Sequence, residues 1–252
     1  MDAHPFEFAT TWAYLARFLG VRERILDVGG GPGRYAFRLP DLGHRVTLAD
    51  LAANNVAFAR KKAPELGLAL DGYGQADNRH LPFPDEAFDV VIAWGPLYHL
   101  TAEADRARAV TECLRVLRPG GLVVVAFISL VAPFYDMVVP QPEALPDWWA
   151  TVRAGHLRDG IHHPRSENPQ FTDAWFVDPF QIEAFFNPYA VDKLALVGVE
   201  GMTAQSKYQL YKLPADLLAV WIDFEEETAT SPAALAGCEH LVYFGREHSP
   251  AR

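Results

Sequence analysis

The sequence has few cysteines, no long apolar run and no excess of basic residues. Cys113 and Cys238 lie far apart in apolar segments, so buried free thiols are expected rather than a disulfide. No cysteine or histidine spacing predicts a metal site. The longest apolar run, 122–134, is too short to span a bilayer. The formal net charge of −10 disfavours nucleic acids and anionic membranes as partners, because an acidic surface repels phosphates.

The ends and length of the chain set further expectations. Acidic residues occur early, and no basic start precedes an apolar stretch, so a secretory signal is not predicted and the cytoplasm is the default location. The 252 residues suffice for one sizeable core and contain no repeats. A single domain over residues 1–252 is therefore expected, as a monomer or a homodimer.

Strand-like and helical segments alternate along the chain. The predicted helices cover 6–19, 34–39, 54–63, a segment between a Thr101 cap and Pro119, and 213–228. The predicted strands cover 25–28, 45–49, 69–75, 88–94, 122–128, 191–200 and 240–246. Such alternation predicts an α/β fold with a doubly wound, mostly parallel seven-stranded sheet that has helices on both faces.

Residues 130–190 differ from the rest because prolines and aromatic residues are frequent and periodicity is weak. This segment is expected not to form core sheet but to be a lid near the carboxyl ends of the strands, where ligands bind in open α/β sheets. The predicted substrate-pocket residues are Tyr135, Trp148, Trp149, His162, His163, Trp175 and Phe176. The alternatives are that the aromatic residues pack the segment onto the sheet and that the two histidines lie in a surface loop.

A glycine-rich turn follows the first predicted strand, in the stretch ILDVGGGPGRY. Glycines there let a ligand approach the backbone closely. The dinucleotide pattern G-x-G-x-x-G fails, because its third position falls on Arg34. The spacing is instead G-x-G-x-G, with an acid two residues before the first glycine.

This spacing resembles the first motif of the class I S-adenosylmethionine-dependent methyltransferases, which Asp27, Gly29, Gly31 and Gly33 match in full. The resemblance covers roughly residues 20–130 and implies a Rossmann-like fold with S-adenosylmethionine as cofactor. It implies that the glycine loop wraps the methionine part of the cofactor and that Asp27 binds its amino group.

The same resemblance assigns later residues. Asp50 would bind the ribose hydroxyls, and Leu51 would pack on the adenine. Asp77 would accept from the adenine amino group, with Asn78 beside it. The remaining cofactor contacts would come from Arg34, which faces the cofactor carboxylate, and from Trp94 and Gly95 at the end of strand four. As alternatives to binding the cofactor, Asp50 could cap a helix, Asp77 could cap a turn, and Arg34 could be a solvated helix residue.

Methyl transfer from a sulfonium is an in-line displacement that depends on positioning and on exclusion of water. A base is needed only if the acceptor loses a proton. His99 is the first candidate and Tyr98 the second. The favoured alternatives are local packing and hydrogen bonding for His99 and a place in the pocket wall for Tyr98. A small-molecule acceptor is favoured. A protein or RNA methyltransferase and a non-catalytic S-adenosylmethionine-binding module stay open as alternatives.

Overall fold

The computed structural model describes residues 4–135, 141–163 and 171–248, without the side chains of residues 144, 148 and 151. The chain divides into two compact units. The glycine-loop unit comprises Leu19–Ala126, Phe186–Leu194 and Phe244–Arg252. The aromatic unit comprises Met1–Phe18, Phe127–Phe185 and Ala195–Tyr243, so it extends beyond the predicted insertion at 130–190.

The elements follow in chain order. The helices are α1 (Pro5–Phe18), α2 (Ala53–Glu65), α3 (Glu103–Val116), α4 (Leu145–Thr151), α5 (Leu157–Asp159), α6 (Ile182–Phe186), α7 (Lys207–Leu210), α8 (Ala215–Thr228) and α9 (Pro232–Gly237). The strands are β1 (Arg24–Val28), β2 (Arg45–Asp50), β3 (Gly72–Gln75), β4 (Phe88–Ala93), β5 (Leu117–Ser129), β6 (Ile161–His162), β7 (Ala174–Val177), β8 (Val191–Gly198) and β9 (His240–Glu247). A π-helical turn covers Val152–His156 and a 3-10 helix covers Gly201–Ser206.

The core of the glycine-loop unit is a parallel sheet in the order β3-β2-β1-β4-β5. Asp27 on β1 lies opposite Leu48 on β2 and Ile92 on β4. Helix α2 packs on β2 and β3, and α3 packs on β4. This order is that of a doubly wound Rossmann-like fold, whose ligands bind where the strand order reverses, here between β1 and β4. The predicted parallel α/β sheet is confirmed.

Two boundaries in the glycine-loop unit differ from the prediction. Residues 31–39 form consecutive turns rather than the expected helix. Gly33 has a φ of 98° and Pro40 restricts the residue before it, so too few residues remain for a regular helix. Helix α3 has Ala102, not Thr101, at its N-cap, and it ends where β5 begins, before Pro119.

The aromatic unit contains strands that the sequence did not predict. In this unit Ile128 on β5 pairs in parallel with Phe176 on β7, and β7 pairs antiparallel with β6 through Trp175 and Ile161. The expectation that 130–190 contributes no sheet was therefore wrong. The run Ala174–Val177 is apolar and mostly buried. Burial of such residues stabilises a short strand even inside a proline-rich segment. With β6 and β7, the strands assigned in the described ranges number nine instead of seven.

Both cysteines are free and buried, as expected. Cys113 lies on α3, and Cys238 lies just before β9. Burial raises the pKa of the Cys113 thiol to about 12, and burial also raises the pKa of the Cys238 thiol. Both thiols therefore stay protonated at neutral pH.

Shortening of one buried side chain on β4 tests whether the parallel sheet is the core of the glycine-loop unit. Ile92 is fully buried, so Ile92→Ala should lower the free energy of unfolding by about 2–5 kcal/mol. Urea denaturation measures the change. Val21 is 86% exposed, and Val21→Ala, which also shortens a β-branched side chain, should change stability by less than about 0.5 kcal/mol. Equal effects of the two substitutions would contradict the assignment.

Candidate functional site

The glycine loop leaves β1 with three glycines in the left-handed backbone region. Gly29, Gly31 and Gly33 have φ values of 64°, 56° and 98°. A Cβ on Gly29 would lie 2.6 Å from the Cδ of Pro96, and one on Gly33 would lie 2.7 Å from the ring of Phe37. A Cβ on Gly31 would have no described atom within 4 Å. Packing therefore requires the outer two glycines, whereas Gly31 faces open space beside its backbone.

Asp27 is a fully buried carboxylate directly before this loop. Among the described residues, neither carboxylate oxygen completes a hydrogen bond. Burial raises its pKa to about 7. The amide of Ala36, which does not complete a hydrogen bond of normal geometry, limits the rise, and the charge of Asp50 adds to it. Because a buried acceptor without a donor is costly, this carboxylate is suited to a ligand that brings a positive charge and N–H donors.

Asp50 ends β2 and holds the glycine loop. Its Oδ2 accepts from the amide of Gly31 at 2.8 Å, and its Oδ1 accepts from the amide of Ala52 at 2.8 Å and from Nδ2 of Asn55 at 3.2 Å. Ala52, not Asp50, occupies the N-cap of α2. A carboxylate has about four acceptor positions, so Asp50 retains capacity for a hydroxyl donor. Leu51, the next residue, is 64% exposed.

Asp77 and Asn78 differ in the hydrogen-bond partners of their side chains. Asp77 forms an ion pair with Arg79, with 2.6 Å between Oδ2 and Nη2, and this hydrogen bond holds the pKa of Asp77 below its usual value. Asn78 is buried and its Oδ1 lies 3.4 Å from the Sγ of Cys113. Its Nδ2 is buried without a hydrogen-bond partner in the described part of the chain. Asn78 therefore presents the donor that still needs an acceptor.

The segment after β4 lies against the glycine loop. The Trp94 ring stacks on Tyr35 with 4.1 Å between centroids, and its Nε1 is buried without an acceptor among the described residues. A Cβ on Gly95 would lie 3.4 Å from the hydroxyl of Tyr98, and the Tyr98 and His99 rings are 4.7 Å apart. Tyr98 is half-buried and His99 is exposed.

Arg34 lies within the turns that follow Gly33. Its guanidinium carbon is 5.7 Å from the centroid of the Tyr35 ring. The structure thus brings the glycine loop, Asp27, Asp50, Trp94 and Gly95 together at the carboxyl edge of the parallel sheet in the glycine-loop unit.

The predicted pocket histidines belong to the aromatic unit and differ from each other. His162 is buried rather than in a surface loop, and its Nδ1 lies 2.8 Å from Nε2 of His156, which is also buried. Burial and His162 lower the pKa of His156 to about 4, and burial lowers the pKa of His162. His163 is exposed and pairs with Asp173 at 2.7 Å. The buried pair is therefore neutral at physiological pH.

The predicted pocket aromatics are partly used for packing. Phe176 is buried against His156 and His162, and Trp175 contacts Phe127 and Phe185. The Tyr135 hydroxyl accepts from Gln205 at 3.2 Å.

The other two predicted pocket aromatics lie on α4. Trp149 is 46% exposed, and the side chain of Trp148 lies outside the described part. An open groove of about 600 Å³ is lined by Ala150, Ala154, Gly155, Arg158, Asp159, Ile161 and His163.

Sequence reasoning missed His156 and a buried ionic cluster in the aromatic unit. The cluster consists of the buried Glu200, Lys207, Glu225 and Glu239 together with the half-buried His240. Glu200 follows an apolar strand and Glu239 precedes one, which is the ordinary pattern of a solvated strand end. No signal in the sequence distinguished these charges from surface charges.

Within the described ranges no helix is long and apolar enough to cross a membrane. No group of three histidine, cysteine, aspartate or glutamate side chains there has the arrangement of a metal site.

Known proteins match the same part of the chain. Residues 26–125 match the family model described as a methyltransferase domain. The ubiquinone/menaquinone biosynthesis C-methyltransferase UbiE of Stutzerimonas stutzeri is 42% identical over 112 residues, which is 42% of this chain and 42% of that protein. The ubiquinone biosynthesis O-methyltransferase of Rhizobium leguminosarum is 27% identical over 165 residues, which is 66% of this chain and 63% of that protein. The match thus spans about half the length of such relatives.

A solved structure extends the likeness over most of the chain. An S-adenosylmethionine-dependent methyltransferase from Methanosarcina mazei has a TM-score of 0.62 at 16% identity, with 94% of this chain and 97% of that chain covered. At this identity the likeness shows the fold alone.

The raised pKa of Asp27 makes a prediction for stability. Between pH 4 and pH 7 the folded chain keeps a proton that the unfolded chain has lost, so stability falls as pH rises through this window. Relative to Asp27→Asn, the wild-type free energy of unfolding should fall by roughly 1.4 kcal/mol for each pH unit and level off above pH 7.

Urea denaturation of the ligand-free protein across this range measures the difference. Asp41 is exposed on the same unit, and Asp41→Asn serves as the matched control without this dependence. A pH-independent difference between wild type and Asp27→Asn would contradict the raised pKa.

Proposed function

We propose that this chain, whose residues 26–125 match a methyltransferase-domain family, is a class I S-adenosylmethionine-dependent methyltransferase that transfers a methyl group to a small organic acceptor. The observation that carries the proposal is the buried Asp27 carboxylate, which completes no hydrogen bond within the described residues and precedes a loop in which Gly31 faces open space. A ligand with an amino group on a slender chain satisfies both features. The relatives' names, which include C- and O-methylation in quinone biosynthesis, support a small-molecule acceptor.

The residues present fit S-adenosylmethionine. Asp27 would bind the amino group, and the backbone at Gly29, Gly31 and Gly33 would lie along the methionine chain. Arg34 would face the cofactor carboxylate. The open approach at Gly31 leaves room for these contacts.

The nucleoside part of the cofactor would meet residues at the ends of the next strands. Asp50 would accept from the ribose hydroxyls, and the exposed Leu51 would pack on the adenine. The buried Nδ2 of Asn78 would donate to a ring nitrogen, while Asp77 would accept from the exocyclic amine in spite of its ion pair with Arg79. Trp94 and Gly95 would border the cofactor at the end of β4.

The chemistry divides between cofactor and protein. Bound S-adenosylmethionine supplies a methyl group on a positively charged sulfur, and the leaving group is neutral. The chain holds the acceptor in line and excludes water, to which the aromatic residues of the predicted pocket would contribute. Where the acceptor must lose a proton, His99 would accept it, with Tyr98 beside the ring.

Ligand binding tests the cofactor assignment. S-adenosylhomocysteine, which keeps the amino acid part, should raise the melting temperature of the wild type by mass action. Asp27→Asn should weaken binding at pH 8 by at least about tenfold, because an amide cannot balance an ammonium group. Calorimetric titration gives the dissociation constants.

The pH dependence of S-adenosylhomocysteine binding distinguishes the effect of the Asp27 charge from the effect of its side-chain shape. Binding requires the ionised carboxylate, so wild-type affinity should rise by about tenfold per pH unit up to pH 7 and then level off. Asp27→Asn should lack this rise, and Asp41→Asn should retain it. Wild-type protein that shows no melting shift at millimolar ligand would refute the cofactor assignment.

The acceptor class has a separate test. Wild-type protein with methyl-labelled S-adenosylmethionine should label the small-molecule fraction of a cell extract and leave proteins and nucleic acids unlabelled. Asp27→Asn should reduce the labelling at pH 8. Label retained with macromolecules would overturn the small-molecule proposal while leaving the methyltransferase assignment intact.

A further inference from the structure

The segment that follows β3 in the glycine-loop unit lies beside the residues proposed to bind the nucleoside. Gln75, the last residue of β3, pairs with Asp50 at the end of β2, and its Nε2 donates to the carbonyl of Leu51 at 3.0 Å. The amide of Ala76 donates to the carbonyl of Asp50 at 3.1 Å. Asn78 follows two residues later, so it lies near the carboxyl edge of the sheet, where ligands bind in this class of fold.

Helix α3 fixes the backbone on the far side of Asn78. Asp105 and Glu112 lie two turns apart on one face of this helix. Oε2 of Glu112 accepts from the amide of Leu81 at 2.8 Å, and Oδ2 of Asp105 accepts from Nη1 of Arg79 at 2.9 Å. The terminal torsion of an asparagine side chain has broad preferences, so the orientation of the Asn78 amide depends on what that amide contacts.

Cys113 on α3 contacts the amide of Asn78. Its Sγ lies 3.4 Å from Oδ1 of Asn78, and both side chains are buried. Burial raises the pKa of the Cys113 thiol to about 12, so the S–H donor is present at neutral pH. With Oδ1 used in this way, Nδ2 of Asn78 is left without a hydrogen-bond partner in the described part of the chain. The thiol and the amide are therefore arranged so that the amide offers a donor to a ligand.

The orientation of the amide decides what it can recognise. The carbonyl oxygen and the NH₂ group of an asparagine have almost the same shape, so hydrogen bonds determine which of them faces a ligand. In the reverse orientation Nδ2 of Asn78 would face sulfur, which is a weak acceptor, and Oδ1 would face the ligand. The thiol of Cys113 therefore favours the orientation in which Nδ2 faces the ligand.

We propose that Cys113 is a positioning residue that makes the cofactor site selective for adenine, because its thiol holds Nδ2 of Asn78 toward N1 of the ring. N1 of adenine accepts a hydrogen bond, whereas N1 of hypoxanthine carries a hydrogen and donates one. The fixed amide therefore pairs with adenine and opposes hypoxanthine. This inference rests on the proposed function, since it concerns recognition of the proposed cofactor.

S-adenosylhomocysteine and S-inosylhomocysteine test the proposal, because they differ at N1 and at the neighbouring exocyclic group. The wild-type protein should bind S-adenosylhomocysteine at least about tenfold more tightly, since a site built to pair with one ring edge rejects the other. The exocyclic difference, which Asp77 would sense, is the same in every Cys113 variant and cancels when the variants are compared. Calorimetric titration gives the dissociation constants.

Cys113→Ala removes the donor and frees the Asn78 amide to rotate. This variant should bind S-inosylhomocysteine roughly three- to tenfold more tightly than the wild type, because Oδ1 can then accept from N1–H. Its affinity for S-adenosylhomocysteine should stay within about twofold of the wild-type value. A purely structural role of Cys113 would instead weaken the binding of both ligands.

Conservative and matched variants separate the thiol donor from packing. Cys113→Ser keeps a donor and should keep the wild-type selectivity, whereas Cys113→Val fills the space without a donor and should behave as Cys113→Ala does. Cys238 is the other buried free cysteine, and Cys238→Ala should leave the ratio of the two dissociation constants unchanged. In an Asn78→Ala background, Cys113→Ala should no longer change this ratio, because the thiol acts through the amide.

A substitution at Asn78 tests the orientation with Cys113 left in place. Asn78→Asp presents an oxygen in either orientation, so it should weaken the binding of S-adenosylhomocysteine and strengthen the binding of S-inosylhomocysteine. Weaker binding of both ligands by this variant would show that Asn78 does not face N1 and would overturn the proposal.

Three further results would overturn the proposal. They are equal wild-type affinities for the two ligands, wild-type selectivity in both Cys113→Ala and Cys113→Val, and an effect of Cys113→Ala on selectivity that persists in the Asn78→Ala background. Failure of the wild type to bind S-adenosylhomocysteine at all would instead contradict the proposed function.

Discussion

The parallel pairing of β1 with β2 on one side and β4 on the other is the constraint on which the candidate site depends. Val28 lies opposite Ala49 and Ala93, so the three strands end together. The amides of Gly29 and Gly30 both donate to the carbonyl of Ala49, at 2.8 and 3.3 Å. Backbone hydrogen bonds thus fix where the glycine loop begins, and Asp50 and Trp94 follow at the same edge.

The sequence predicted what depends on local spacing. The positions of Asp27 and the three glycines follow from one short stretch, and Asp50 follows from the end of an apolar strand. The hydrogen bond between Asp50 and the Gly31 amide joins residues 19 apart, and only the folded sheet reveals it. The same applies to the ion pair that occupies Asp77, because periodicity does not show side-chain partners.

Contacts between residues that are distant in the sequence explain the features that the sequence did not predict. Ala174–Val177 joins β5 as a strand, although its flanking sequence has the composition of a loop, because burial against β5 outweighs local preference. His162 is buried because it meets His156 six residues away across a turn, whereas His163 points to solvent and meets Asp173. His162 is the last residue of β6 and His163 follows the strand, so their side chains take different directions, and the sequence alone could not assign one to the core and the other to the surface.

The buried cysteines have a practical consequence for solution experiments. Thiol reagents react with the thiolate, and Cys113 and Cys238 are both buried and protonated at neutral pH. A cysteine introduced at the exposed Val21 position would therefore be the reactive thiol of the described chain. A fluorophore or spin label could be attached there without removal of the native cysteines, which would leave the packing around α3 and β9 intact.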